Sequence, residues 1–462
     1  MTSLGRHIMT NRIVVVANRL PLRRIDEAWE TSPGGLVSAV APFLQERGGS
    51  WVGWTGAPDD APAPFVHDGI EQRPVLLSES DIDDFYLGFS NGTIWPLYHD
   101  AIRPPEFHRH WWHPYVAVNR RFAEQAAEAL RPGALAWVHD YQLQLVPEML
   151  RILRPDVRIG FFLHIPFPPV EILARLPWRR EVLEGLMGAD VVAFQTRLGR
   201  HNFGRAVRRF LGGEGTTRWL RAGDRTVRLM SAPISIDTGR YASLAASQPV
   251  GARVAALRQE LGAERKVVLG VDRLDYTKGI DVRLRAYDTL LRRHREKAEN
   301  VLFLQVAVPS REGVGDYVAM REEVEGLVGR INGAHGELHH VPVHYQYGSL
   351  EPHELVAYYR MADVMCVTPL RDGMNLVAKE YVASRQGDNG ALVLSEFAGA
   401  SQELRQALLV NPYDVDGVAE ALWRALHLPA SEERTRMQSM RRQVQRHDVY
   451  RWARACIEAI QQ

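Results

Sequence analysis

Cysteine is nearly absent. The 462 residues hold only Cys366 and Cys456, too few for a disulfide framework or a cysteine-based metal site. A charge excess of one sign is missing as well. Lys and Arg total 56 against 55 Asp and Glu, a net charge of +1. No overall field therefore draws the chain to nucleic acid or an anionic membrane, and phosphate recognition has to be local. No apolar run reaches the length that spans a bilayer. The stretch 1–10 has no apolar core of a secretory signal, and Met9 offers a second start. The expected location is cytoplasmic. The P-loop and the G-x-G-x-x-G fingerprint are also missing, since Gly313-Val314-Gly315 has no third glycine. Neither a Gly-x-Ser-x-Gly elbow nor a His-Glu-x-x-His zinc motif occurs.

What is present is alternation. Runs rich in Val, Ile, Leu and Phe predict strands at 12–17, 134–139, 158–164, 191–195, 228–234, 266–271, 301–308, 341–345, 363–367 and 391–395. Most are continuously apolar, as parallel strands covered on both faces are. Amphipathic stretches such as 281–294 and 317–331 have the length of βαβ crossovers. A chain of this size exceeds one core. The expected fold class is α/β, with two doubly wound Rossmann-like domains, 1–234 and 235–434, facing a central crevice. A helical segment at 435–462 could cross back to the first domain. Ligands of such sheets gather at the C-terminal ends of the strands.

The segment from Thr368 to Glu380 says most about chemistry. A buried strand runs into Pro369-Leu370-Arg371-Asp372-Gly373, and a helix opens at Asn375 with Leu376, Val377, Ala378, Lys379 and Glu380. Main-chain N–H groups at such a helix start collect an anion. Asp372 and Glu380 flank it and can hold sugar hydroxyls; an ordinary βα loop with solvated charges is the alternative. A second loop, Asp272 to Gly279, follows the strand 266–271 and places Arg273 and Lys278 five residues apart. Two cations aimed at a nucleoside-diphosphate leaving group would stabilise its developing charge, whereas a salt-bridged surface loop would look the same in sequence. Pro33-Gly34-Gly35 before Leu36 suits another close approach of main chain to phosphate.

Asp140 and His164 each sit just past a predicted strand, well placed for sugar hydroxyls, though a lone His is more often structural. Tyr86 and Trp95, within 83–95, offer aromatic faces of the kind that stack on sugars or fill a core. His108, His110 and His113, like His339, His340 and His344, match no zinc spacing, so no metal and no cofactor are expected.

Together, "VVVANRLP", "PGGL", "GWTG", "FYLGFSNGTIWP", "WVHDYQL", "GFFLHIPFP", "VDRLDYTKG", "VTPLRDGMNLVAKEYVA" and "LSEFAGA" closely resemble the trehalose-6-phosphate synthase family, retaining GT-B glycosyltransferases. The resemblance implies glucosyl transfer from UDP-glucose to glucose 6-phosphate. It implies donor contacts at Gly34, Gly35, Arg273, Lys278, Asp372 and the stretch Leu376, Val377, Ala378, Lys379 and Glu380. Acceptor contacts would fall on Arg19, Tyr86, Trp95, Asp140 and Arg311, with His164 near the reacting sugar. Arg273, Lys278, His164 and Asp140 would carry catalysis. The stretch 339–350 is less typical of the family, which leaves the uridine preference less secure than the glucose transfer.

Transfer from an α-glucosyl donor to an α,α-linked product retains configuration. A retaining glycosidase would place a carboxylate nucleophile under the anomeric carbon, and none is identifiable. The family implies a front-face route in which the leaving phosphate oxygen takes the acceptor's proton. Competing expectations are a glucosylglycerol-phosphate-type synthase with another phosphorylated acceptor, a sugar-nucleotide epimerase, and a silent homologue, which would have lost Arg273, Lys278 or Glu380. No Asp-x-Asp-Gly-Thr motif occurs before Gln462, so a separate phosphatase is expected to act on the product. The expected partners are small-molecule substrates and further copies of the chain as a homo-oligomer, with no nucleic acid and no membrane.

Overall fold

The computed structural model describes residues 13–25, 28–31, 35–295, 298, 300–311, 315–338 and 340–462. Two compact units divide the chain. One comprises the residues up to Ile234 together with Val449–Gln462, the other Ser235–Asp448.

The first unit is built on one sheet. Its strands are β1 (Ile13–Arg19), β4 (Gly49–Trp54), β5 (Phe65–His67), β6 (Ile70–Pro74), β7 (Leu135–His139), β8 (Arg158–Leu163), β9 (Val191–Phe194), β10 (Glu214–Gly215), β11 (Trp219–Ala222) and β12 (Arg225–Ser231). A separate hairpin pairs β2 (Leu22–Ile25) with β3 (Ala28–Thr31). The sheet order is β10-β11-β12-β9-β8-β7-β1-β4-β6-β5. Its middle is parallel, and antiparallel strands finish both edges. Ile13 to Ala17 are all at most 4% exposed, which explains their unbroken apolar run. From β1 the chain moves one way to β4 and β6 and the other way to β7, β8 and β9. Loops leaving β1 and β7 therefore diverge and open a cleft at this switch point.

The second unit repeats the logic. Strands β13 (Lys266–Arg273), β14 (Val301–Val308), β15 (Val343–Tyr347), β16 (Val364–Val367), β17 (Ala391–Ser395) and β18 (Leu408–Val410) lie in the order β15-β14-β13-β16-β17-β18, all parallel. Here the order reverses between β13 and β16, so the loops 273–279 and 368–375 meet. The strand expected at 341–345 starts two residues later, and the one expected at 228–234 lies at Arg225–Ser231. The expected boundary at 434/435 falls inside the helix Ala430–Arg446; the chain leaves the second unit only after Asp448.

The final helix, Val449–Gln461, packs on β7 and β8. Trp452 lies 5.1 Å from both Trp137 and Phe162. Gly160 makes room for it, since a Cβ there would sit 2.2 Å from Ile460 Cδ1. No helix among the described residues is long and apolar enough to cross a membrane.

Candidate active site

In the first unit the loops after β1 and β7 border a cavity of about 450 Å³ lined by Arg19, Trp51, Tyr86, His139, Asp140 and Gln142, among others. Arg19 ends β1. Its guanidinium lies 4.0 Å from the centre of the Trp54 ring and 5.9 Å from that of Tyr86, a cation held on aromatic faces. Burial pulls its pKa down while Tyr86 opposes the shift. Gly56 lies beneath it at φ +106°, a conformation that favours glycine, and a Cβ there, 1.8 Å from Arg19 Nη1, would displace it. The Trp51 indole N–H donates to the Arg19 carbonyl at 3.0 Å, pinning the main chain.

Tyr86 comes from a wide-turn helix, Ile82–Ile94, a form that recurs at functional sites. Gly88 on that helix lets the Trp111 ring approach, at 2.7 Å from where a Cβ would be. The Asn91 amide donates to the Tyr86 carbonyl at 2.7 Å, and Tyr141 Oη donates to Asn91 Oδ1 at 2.8 Å. Asp140, just past β7, holds φ 75°, an unusual conformation for a residue other than glycine. Its Oδ1 accepts the His164 main-chain N–H at 3.1 Å. Trp95 is 4% exposed and packs on His99 at 4.2 Å and Tyr141 at 5.5 Å, so of the two fates its sequence left open it takes core packing.

In the second unit Arg273 ends β13 with its side chain exposed. Asp275 follows, fully buried. Its Oδ1 accepts the Thr277 N–H and hydroxyl at 3.0 and 2.9 Å, forming the turn that presents Lys278. Gly279, at φ +60°, brings this loop within 2.4 Å (Cβ position to the Thr368 carbonyl) of the loop after β16. Beneath both lies Arg283, 0% exposed, bonded to Asp272 at 2.6 Å, Gln305 at 3.1 Å and Thr368 at 3.0 Å. Lys278 Nζ meets Asp372 Oδ2 at 2.6 Å. Asp372 also accepts from Met374 N at 3.2 Å and the Asn375 amide at 3.2 Å.

Asn375, at φ 73°, caps the helix Leu376–Ser384 rather than belonging to it, its Oδ1 accepting from Ala378 N at 3.2 Å. Leu376 and Val377 are half-buried, and Ala378 is buried. The Lys379 ammonium is 1% exposed and paired with Glu403 at 2.6 Å, which leaves its main chain to face a ligand. Glu380 keeps part of its surface open. It accepts from Tyr359 Oη at 2.9 Å and is also bonded by Tyr241, and burial pushes its pKa up. Gly34 and His339 lie outside the described residues; Gly35 opens the helix Gly35–Arg47. Among the described residues no group of three or more His, Cys, Asp or Glu is placed to hold a metal ion.

Arg311 belongs to the second unit. It has φ 49°, bonds the Tyr317 hydroxyl, and lies 3.4 Å from Asp275 Oδ2, with the two side chains 5% and 0% exposed. Burial would raise the Asp275 pKa, but Arg311, Arg273, Lys278 and the Thr277 N–H outweigh it and hold the group at about 2. A folded value below the ordinary carboxylate one adds stability above pH 4, lost as pH falls toward 2. Arg311→Ala leaves Asp275 less compensated and should destabilise the chain by about 3 kcal/mol, the low end for a broken buried pair, because Arg273 and Lys278 remain. Acid unfolding followed by circular dichroism should then move to higher pH; an unmoved midpoint would dismiss the pairing.

Sequence reasoning passed over Trp54, Gly56, Asp275, Arg283, Tyr241 and Tyr359. Trp54 and Gly56 lie in "GWTG" and Asp275 in "VDRLDYTKG", but nothing in those strings says what each side chain touches.

The model of glycosyltransferase family 20 matches residues 6–462. A trehalose-6-phosphate synthase of Mycolicibacterium smegmatis is 52% identical over 465 residues, 98% of this chain and 92% of that one. An alpha,alpha-trehalose-phosphate synthase (UDP-forming) from Burkholderia xenovorans, solved in complex with glucose-6-phosphate, matches with TM-score 0.91 and 38% identity over 98% of this chain and 100% of that one. A related E. coli structure bound with UDP-2-fluoro glucose matches with TM-score 0.92 and 36% identity, over 98% and 99%.

Proposed function

The chain belongs to glycosyltransferase family 20, and from that premise we propose that it transfers glucose from UDP-glucose to glucose 6-phosphate, giving α,α-trehalose 6-phosphate and UDP. The observation that carries this reading is the end-to-end likeness to synthases, one of them holding glucose-6-phosphate and a related structure a UDP-glucose analogue. The geometry adds a cation on aromatic faces in one unit and a cation-bearing loop at the sheet reversal of the other.

The bond from the glucose C1 to the UDP oxygen breaks, and a bond from C1 to the acceptor's anomeric oxygen forms on the same face. The acceptor's proton leaves on the departing phosphate oxygen. Arg273 and Lys278 stabilise that diphosphate as its charge grows. Lys278 has three N–H donors and serves Asp372 and the diphosphate together. Asp372 and the Leu376, Val377 and Ala378 stretch with Gly34 and Gly35 hold the donor, and Glu380, already bonded by two tyrosines, has lone pairs left for ribose hydroxyls. Arg19, Tyr86 and Asp140 hold the acceptor, Arg311 adds positive charge, and Trp95 supports from the core. His164 lies near the reacting sugar. A separate phosphatase removes the 6-phosphate, the chain works as a homo-oligomer, and the reaction is cytoplasmic.

The test is to incubate the pure protein with several nucleoside-diphosphate glucoses and phosphorylated acceptors and to weigh the products. A hexose disaccharide phosphate from UDP-glucose and glucose 6-phosphate is expected. Glucosylglycerol phosphate as the main product would overturn the acceptor assignment. Activity should survive EDTA, because two cations supply the charge a metal would; strict dependence on a divalent ion would overturn their role.

A further inference from the structure

His139 ends β7 and His164 follows β8, with ring centres 5.4 Å apart. His139 Nδ1 lies 3.1 Å from His164 Nε2, so one of these nitrogens donates and the other accepts. His139 is 1% exposed and walled by Trp137 at 4.6 Å and Phe162 at 6.3 Å. Its Nε2 is sealed from water and has no partner among the described residues. If Nδ1 were the acceptor, the proton of His139 would sit on that Nε2, as a buried N–H with nothing to receive it. A bare lone pair there is the lesser penalty, because unanswered buried donors are the rarer orphans. The proton of His139 therefore belongs on Nδ1. His164 Nε2 accepts it, and the proton of His164 is left on Nδ1. Charging offers no escape, since burial holds His139 well below the ordinary imidazole value and His164 at about 3.

We propose that His139 is a positioning residue that locks His164 as its Nδ1–H tautomer, making His164 a hydrogen-bond donor to an oxygen of the bound sugar and not a proton acceptor. The choice of sugar rests on the glucosyl-transfer reading above; the tautomer does not. His164 is half-buried, its main-chain N–H is tied to the Asp140 carboxylate that borders the cavity, and Phe162 and Trp452 brace its ring at 4.6 and 6.2 Å.

The experiment is a two-bond ¹H–¹⁵N correlation on the full chain labelled with ¹⁵N-histidine, at neutral pH without substrate, the His164 signals being identified by their loss in His164→Gln. A protonated Nδ1 and bare Nε2 on His164 are expected. His139→Asn, whose amide can still donate, should keep that pattern and stay within about threefold of the native kcat. His139→Asp, which accepts instead, should flip His164 to Nε2–H and lower kcat on the order of 10- to 100-fold, the usual range for a lost orienting partner. A native His164 protonated on Nε2 would overturn the proposal. So would a flipped His139→Asp protein with native kcat. Were the expected tautomer found in a protein that transfers glucose to no acceptor, the function reading would fail while the histidine pair stood.

Discussion

Lys278→Ala and Arg273→Ala should each lower kcat/KM by roughly 10- to 1,000-fold, from about 1.5–4 kcal/mol of lost charge-assisted contact to the leaving diphosphate. The two variants should differ in stability. Arg273 is exposed at the end of β13 but is one of three cations compensating the buried Asp275, so its loss should lower the melting temperature only modestly. Lys278 is 12% exposed and paired with Asp372, 13% exposed, at 2.6 Å. Its removal leaves a carboxylate short of one partner, and a lower melting temperature should accompany the kinetic loss. Steady-state kinetics beside thermal melts separate the two effects. Wild-type turnover in either variant would remove that residue from the mechanism.

The second large effect concerns acceptor choice. Arg19 lies over Trp54 at the rim of a cavity, and among the described residues no carboxylate pairs with its guanidinium, an arrangement suited to a phosphate dianion. Glucose 6-phosphate should be used and free glucose almost ignored, because a site built for a charged group gains nothing from an uncharged one. Arg19→Ala should weaken use of glucose 6-phosphate on the order of 10- to 150-fold, from about 1.5–3 kcal/mol per charged hydrogen bond, while slow hydrolysis of UDP-glucose without acceptor stays near native. If acceptor KM held constant and donor KM rose, Arg19 would belong to the donor. Arg311 is a poorer test of the same idea, since its pairing with Asp275 couples any substitution there to folding.

The two doubly wound sheets were legible because parallel strands buried on both faces have to be apolar throughout. β1, β7, β8, β13, β14, β16 and β17 all read that way. β4 was not, since Gly49-Ser50-Trp51-Val52-Gly53-Trp54 mixes glycine with indole and resembles a loop, yet all six residues are buried. The short strands at or next to the sheet edges, β5, β10, β11 and β18, escaped for a different reason, because two to four residues carry no period.

The site divides along the same line. Strand positions and loop composition, both local in sequence, already place Arg19, Asp140, Arg273, Lys278 and Asp372 at strand ends, while the points where each sheet reverses come only from the folded strand order. Which way a side chain turns depends on residues far away along the chain. The sequence sets Lys379 near the start of a helix without saying where its ammonium goes, and Glu403, twenty-four positions on, takes it. Trp95 reads equally as a sugar platform or as core until His99 and Tyr141 are seen packed against it. Arg19 gains its direction from Trp54 and from the missing side chain at Gly56, and the His139–His164 pair exists only because β7 lies beside β8. Composition and periodicity decide what must be buried and hence the fold. Partnership between charged or aromatic side chains is a matter of distances near 3–6 Å across the folded unit, and only the tertiary structure brings those partners together.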